Sequence, residues 1–343
     1  MLRVDKGLAF ILRYENVAWY ESGMVKILDR RVYPKIEYVV CKSYTEVARA
    51  ITDMVTQSGG PYTAAGMGMA LAAYESRDMS QAERLVFMGN AADTIANARP
   101  TTAAKMRRYV DSALEAAQSA MESGKDVVEA VFEKTMEDTN NRYLYFMDAG
   151  RYLADKIPQN GTIMTQCWGE TIIGMLLLAC RETNKEIKVI CAETRPYFQG
   201  SRLTASCVRD MGFDVTVITD NMPAYVMNKK KVDIFTSASD IITMDGYVVN
   251  KIGTFQMAMA AHFWNIPFFA SGTPNRDHLT ISTVKIEERD SEAVLHSLDT
   301  KLTIDGVKGY YPAFDITPPR FVSGIVTNKG IYSPYNLSTY FND

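Results

Sequence analysis

Five short apolar runs between Gly161 and Asp277 end in residues able to do chemistry. The runs are GTIMTQ, IKVICAE, DVTVITD, VDIFTSAS and IPFFAS. After the first come Cys167, Trp168, Gly169 and Glu170; after the second, Glu193, Thr194 and Arg195, with Gln199 and Gly200 beyond; after the third, Asp220 and Asn221; after the fourth, Ser239 and Asp240. A thiol, several acids and a set of amide and guanidinium donors therefore gather at run ends. Cys167 stands ahead of a helical pattern, where the positive end of the helix dipole lowers a thiol pKa. Cys180 and Cys207 lie inside helical patterns and Cys191 inside a run, where free cysteine behaves as a small hydrophobe. Position alone leaves Cys167 open to both a catalytic and a packing role, and Asp240 open to both acid catalysis and helix capping.

The elements that must hold these residues follow from the same runs. Each is strand-length, rich in Val, Ile, Phe or Thr, and followed by a Gly-bearing or polar break and a helix-like segment. That is a βαβ series, and its parallel sheet places ligands beyond the carboxyl ends of the strands. Ahead of it, residues 8 to 20 and 24 to 41 read as short strands, and EVARAITDMV, AAGMGMALAAY, MSQAERLVFMGNAADTIAN, TAAKMRRYVDSALEAAQSAM and the segment from Lys125 to Ile157 show helical spacing. The expected fold is α/β: a small N-terminal β piece plus a helical domain over 1–158, then a Rossmann-like parallel sheet with flanking helices over 159–343. AFDITPPRFVSGIVTNKG adds a strand, a double-proline break and a short helix.

Composition excludes several classes. The chain is 47% apolar and 22% charged with a net charge of -3, and its Lys and Arg form no patch beyond Lys229 to Lys231, so nucleic acid is not an expected partner. No stretch reaches the roughly 18 to 20 apolar residues of a membrane span. The N-terminus, with Asp5 and Glu15 around a short apolar patch, does not read as a signal peptide. Five cysteines without CxxC spacing argue against a disulfide framework and a zinc site and make a reducing cytoplasm the expected compartment. Three histidines, His262, His278 and His296, are all that a hydrolytic pair has to draw on.

Neither GxGxxG nor GxxxxGK[ST] follows a strand, so no dinucleotide or ATP is implied. Phosphate can instead be held at helix starts by backbone N–H groups beside a cation. Candidate starts are Gln199-Gly200-Ser201-Arg202, Asn250 to Thr254, and Ala98-Arg99-Pro100-Thr101, where Pro100 fits the first helical position.

Longer motifs narrow the reading. CAETRPYFQGSRLTA, VITDNMPAYVM, SASDIITMDGYVVNKIGTFQMA and YPAFDITPP, preceded by ILDRRVYP, EVARAITDMV, GMALAAYE and NARPTTAAKM, resemble the methylthioribose-1-phosphate isomerase family over nearly the whole chain. Regulatory subunits of the translation-initiation nucleotide exchange factor and ribose-1,5-bisphosphate isomerases share that fold. The resemblance implies Cys167 and Asp240 as the catalytic pair and Arg99, Gln199, Asn250 and Lys251 as phosphate contacts. It further implies a small-molecule sugar phosphate as substrate, a homodimer, and no metal or organic cofactor.

Three departures from the family pattern stand out. TQCWGE replaces THCNAG, Gln57 to Thr63 replaces an RGAPAIG loop, and Ile241 replaces the arginine after the aspartate. The resemblance thus implies a 5-modified ribose 1-phosphate, either 5-deoxyribose or methylthioribose 1-phosphate, converted to the ribulose 1-phosphate. Asp240 is expected to be kept protonated by burial among Ile241, Ile242 and Phe235, and Cys167 to assist hydrogen transfer. The alternatives are a noncatalytic sugar-phosphate or nucleotide-binding regulatory subunit and a ribose-1,5-bisphosphate isomerase.

Overall fold

The computed structural model describes residues 3–99 and 103–342. The chain divides into two compact units, residues 1–144 and 145–343. The division falls inside a helix, ahead of the Pro158–Gly161 break at which composition changes. The last turns of that helix bury Leu153 and Ala154, and its terminal carbonyls, Ala154 and Ile157, accept from Lys185 Nζ at 2.6 and 2.7 Å. Those turns therefore belong to the second unit.

In the first unit a three-stranded antiparallel sheet, β1 (Ala18–Glu21), β2 (Met24–Leu28) and β3 (Tyr38–Cys41), precedes a helical set. Residues 10 to 17, expected as strand, instead form a 3-10 turn and the short helix α1 (Tyr14–Val17). Their apolar residues face the core from two turns because Asp5 accepts the Tyr14 N–H and Asn16 donates to the Phe10 carbonyl, holding a compact coil. The helices are α2 (Tyr44–Thr52), α3 (Gly60–Glu75), α4 (Gln81–Ala96), α5 (Ala103–Glu122) and α6 (Val127–Lys156). Ser80 opens α4 with a reciprocal capping box to Glu83. The small-residue helix α3 is buried along most of its length, as its lack of any polar face requires.

In the second unit seven strands form one sheet: β4 (Gly161–Gln166), β5 (Ile187–Ala192), β6 (Asp214–Ile218), β7 (Ile234–Ala238), β10 (Phe268–Ser271), β15 (Gly324–Thr327) and β16 (Gly330–Tyr332). Their order is β16-β15-β10-β7-β4-β5-β6, every pairing parallel except β15 with β16. The five apolar runs are thus the five strands expected, joined in parallel. The sheet grows from β4 first toward β5 and β6, then from its other edge toward β7 and β10, so β4 ends at a topological switch point. Helices α7 (Glu170–Glu182), α8 (Ala205–Asp210), α9 (Pro223–Lys229) and α10 (Thr254–Phe263) make the crossovers.

A second sheet was not expected. β8 (Ile241–Thr243) and β9 (Val248–Lys251) form a hairpin, β11 (Pro274–Asn275) flanks β8 in parallel, and β14 (Phe314–Thr317) flanks β9 antiparallel. Two short strands between β11 and β14, β12 (His296–Ser297) and β13 (Thr300–Lys301), pair only with one another. Consequently Asn250 and Lys251, expected at a helix start, end a strand, and α10 begins at Thr254 after Gly253 turns the chain at φ 101°. Ile252 already lies in the turn, and its N–H donates to the Ala313 carbonyl at 3.1 Å.

Candidate active site

Cys167 follows the last residue of β4 with φ 57°, a left-handed backbone that costs a non-glycine residue free energy and must be held by its surroundings. Two threonines hold it. The Cys167 N–H donates to Thr194 Oγ1 at 2.7 Å, and the Thr204 hydroxyl donates to the Cys167 carbonyl. Thr194 and Phe198 are left-handed as well, at 65° and 55°. The turn they form is pinned by Asp220, whose two oxygens accept the Thr194 and Arg195 N–H groups at 2.8 and 2.7 Å. Gly200 lies so close beneath it that a Cβ there would meet the Ala192 carbonyl oxygen at 1.8 Å, so no side chain fits.

The neighbours of the thiol are charged. Burial pushes the Cys167 thiol up to about 11; Lys251 and the Trp168 N–H pull it down, Asp240 pushes it up and Arg289 pulls it down. Lys251 is only 4% exposed, and burial drops its ammonium to about 8, with Cys167 and Asp240 acting against that and Arg289 reinforcing it. Thiol, carboxyl and amine therefore act on one another electrostatically, with Lys251, expected as a phosphate contact, beside the thiol. Lys251 Nζ donates to the Tyr311 hydroxyl at 3.3 Å and stands 4.9 Å from the centre of the Phe314 ring.

Asp240 differs from expectation in one respect. It is exposed, in the turn between β7 and β8, with its N–H given to the Val249 carbonyl at 2.9 Å. Phe235 and Ile242 are fully buried while Asp240 is exposed, so burial among them does not enclose the carboxyl.

The phosphate candidates separate. Asn250 Nδ2 donates to Thr254 Oγ1 at 3.0 Å, and Gln166 Nε2 donates to the Lys251 carbonyl at 3.1 Å, so Asn250, Lys251 and the end of β4 form one network. Gln199 is buried and its Oε1 has no hydrogen-bond donor among the described residues. The helix starts do not offer the backbone cradles expected of them. The Gly253 and Phe255 N–H groups both donate to Asp315 Oδ2, at 2.7 and 3.1 Å, and the Gly200 and Ser201 N–H groups donate to the Glu193 carbonyl at 3.1 and 3.3 Å. These four N–H groups are thus already engaged within the protein. Arg99 lies in the first unit, directly after α4; Pro100 and Thr101 beside it lie outside the described residues. Glu287 and Arg289 lie outside every motif quoted above, and Tyr311 and Asp315 lie in YPAFDITPP, a motif that marks the resemblance without assigning them a role.

Residues 61–334 match the family described as Initiation factor 2 subunit. The methylthioribose-1-phosphate isomerase 1 of Pseudothermotoga lettingae is 33% identical over 340 residues, covering 93% of this chain and 95% of that protein. The chain belongs to the initiation factor 2 subunit family, among its methylthioribose-1-phosphate isomerases. It is an aldose–ketose isomerase by class. Its fold matches the crystal structure of 5-methylthioribose 1-phosphate isomerase from Pyrococcus horikoshii OT3 with a TM-score of 0.83 and 26% identity, over 96% of this chain and 97% of that one. The translation initiation factor eIF-2B subunit delta from A. fulgidus matches with a TM-score of 0.79 and 31% identity, over 93% and 96%. No described helix is long and apolar enough to cross a membrane.

Proposed function

We propose that the chain isomerises a 5-modified ribose 1-phosphate, methylthioribose 1-phosphate or its 5-deoxy counterpart, to the corresponding ribulose 1-phosphate. The observation that carries this is the joint placement of Cys167, Asp240 and Lys251 at the switch point of the parallel sheet. In an aldose 1-phosphate the anomeric oxygen is esterified, so the ring opens only if its own oxygen is protonated. Asp240, at the open face of the site, delivers that proton. Hydrogen then moves from C2 to C1 while the C2 hydroxyl gives its proton back to the Asp240 carboxylate, leaving a ketone at C2, and Cys167 serves this step beside the Lys251 ammonium. Side chains of Gln199, Asn250 and Lys251 hold the phosphate, which fixes C1 and C2 against the thiol.

The fold likeness to an initiation-factor subunit favours a second reading, a regulatory module that binds without turning substrate over. The two are separated by a panel of ribose 1-phosphates carrying methylthio, methyl-terminated (5-deoxy), hydroxyl or phosphate groups at C5. We expect ketose product fastest with the first two. Absence of product across the whole panel contradicts the isomerase reading.

A further inference from the structure

The Phe314 ring carries two cations. Lys251 Nζ stands 4.9 Å from its centre and the Arg289 guanidinium 5.5 Å, both nearly removed from water. Buried like charges repel strongly, and such an arrangement persists only where anions answer them. Arg289, whose side chain is 10% exposed, has one carboxylate partner: its Nε donates to Glu287 Oε1 at 2.6 Å and its Nη2 to Oε2 at 3.4 Å. Its buried Nη1 has no hydrogen-bond acceptor among the described residues. The placement is fixed by backbone pairing, because the Arg289 N–H donates to the Tyr311 carbonyl at 3.0 Å and the Ala313 N–H to the Glu287 carbonyl at 2.9 Å. Tyr311 thus lies against Arg289 on one side and accepts from Lys251 on the other, while its ring meets Tyr197 edge-on at 5.9 Å.

We infer that Arg289 is a positioning residue of the active site, which with Glu287 fixes Tyr311 and Lys251 beside Cys167 and supplies the standing positive charge that stabilises the Cys167 thiolate. The inference deepens the isomerase reading, whose hydrogen-transfer step it equips with an anionic sulfur. It concerns charge as well as packing, since the Arg289 guanidinium and the Lys251 ammonium share the Phe314 ring and both residues contact Tyr311. The groups facing the thiol are Lys251 from β9, Asp240 from the turn before β8, Arg289 and Tyr311 from the two segments that pair ahead of β14, and the Trp168 N–H.

The test is the pH dependence of Cys167 alkylation by iodoacetamide, followed by mass spectrometry on the full chain without substrate, so that it stands whether or not any sugar phosphate is turned over. In Arg289→Met the midpoint should rise by about one pH unit, making alkylation near pH 8 about tenfold slower. Arg289→Lys should restore most of the parent profile. Glu287→Gln, which leaves the guanidinium without its carboxylate, should move the midpoint down. A parent-like profile in Arg289→Met that remains folded overturns the inference. If that variant fails to fold, an unmoved or raised midpoint in Glu287→Gln overturns it equally.

Discussion

The two sheets of the second unit follow opposite rules. The seven-stranded sheet is apolar and closely packed: Met164, Ile190, Ile234, Phe235, Phe268 and Ile325 are buried, and the Phe235 and Phe268 rings stack with centroids 4.4 Å apart. The four-stranded sheet, with the segment that pairs ahead of β14, buries Lys251, Arg289 and much of Asp315, and leaves Arg289 Nη1 and Asp315 Oδ1 without hydrogen-bond partners among the described residues. Burying charge costs stability unless it is matched. The large sheet is therefore the scaffold, and the small one carries the buried charge. The catalytic candidates stand where the two meet, with Cys167 on the first and Asp240 between them.

The contrast makes quantitative predictions. Phe235→Ala should cost about 4 kcal/mol of stability, read by urea denaturation, because it opens a cavity beneath the stacked pair. A loss below about 1 kcal/mol would show that the large sheet is not the scaffold. Lys251→Met should act in the opposite sense. A lysine whose folded pKa is depressed, here to about 8 from 10.5, contributes stability above pH 10.5 that is lost as pH falls through 8. At pH 7 the buried ammonium is therefore a burden, and its removal should stabilise the fold by about 3 kcal/mol in thermal or urea melts while isomerase turnover collapses. Equal or lower stability in that variant removes the distinction between the sheets.

Asp315 gives the smallest effect. Burial raises its carboxyl to about 6 from 3.8, against the Phe255 and Gly253 N–H groups and Lys251. An acid so raised contributes stability below pH 3.8 that is lost as pH climbs through 6. The stability difference between the parent and Asp315→Asn should accordingly change by roughly 2 kcal/mol between pH 4 and 6 and stay flat above 7.

How much of this was legible from residues alone divides along the same line. The parallel strands were, because a sheet covered on both faces writes itself as continuous Val, Ile and Phe runs. The position of Cys167 was legible from the end of its run. The small sheet was not. β8 has three residues and β9 four, too short for periodicity to show, and β9 abuts a helix so closely that Asn250 and Lys251 read as its start. Arg289, Glu287 and Tyr311 reach the site through pairings at long sequence separation, which no local pattern records. The exposure of Asp240 is not legible either, because its apolar neighbours along the chain, Ile242 and Phe235, are buried while it is not.

The central claim is that Cys167 and Asp240 together carry an isomerisation. It is tested most directly by the rate at which 5-methylthioribose 1-phosphate becomes its ketose with the parent chain, Cys167→Ser and Asp240→Asn, each confirmed as folded. We predict turnover by the parent and a fall of about 10³-fold or more in either variant. Parent-like rates in both variants would contradict it.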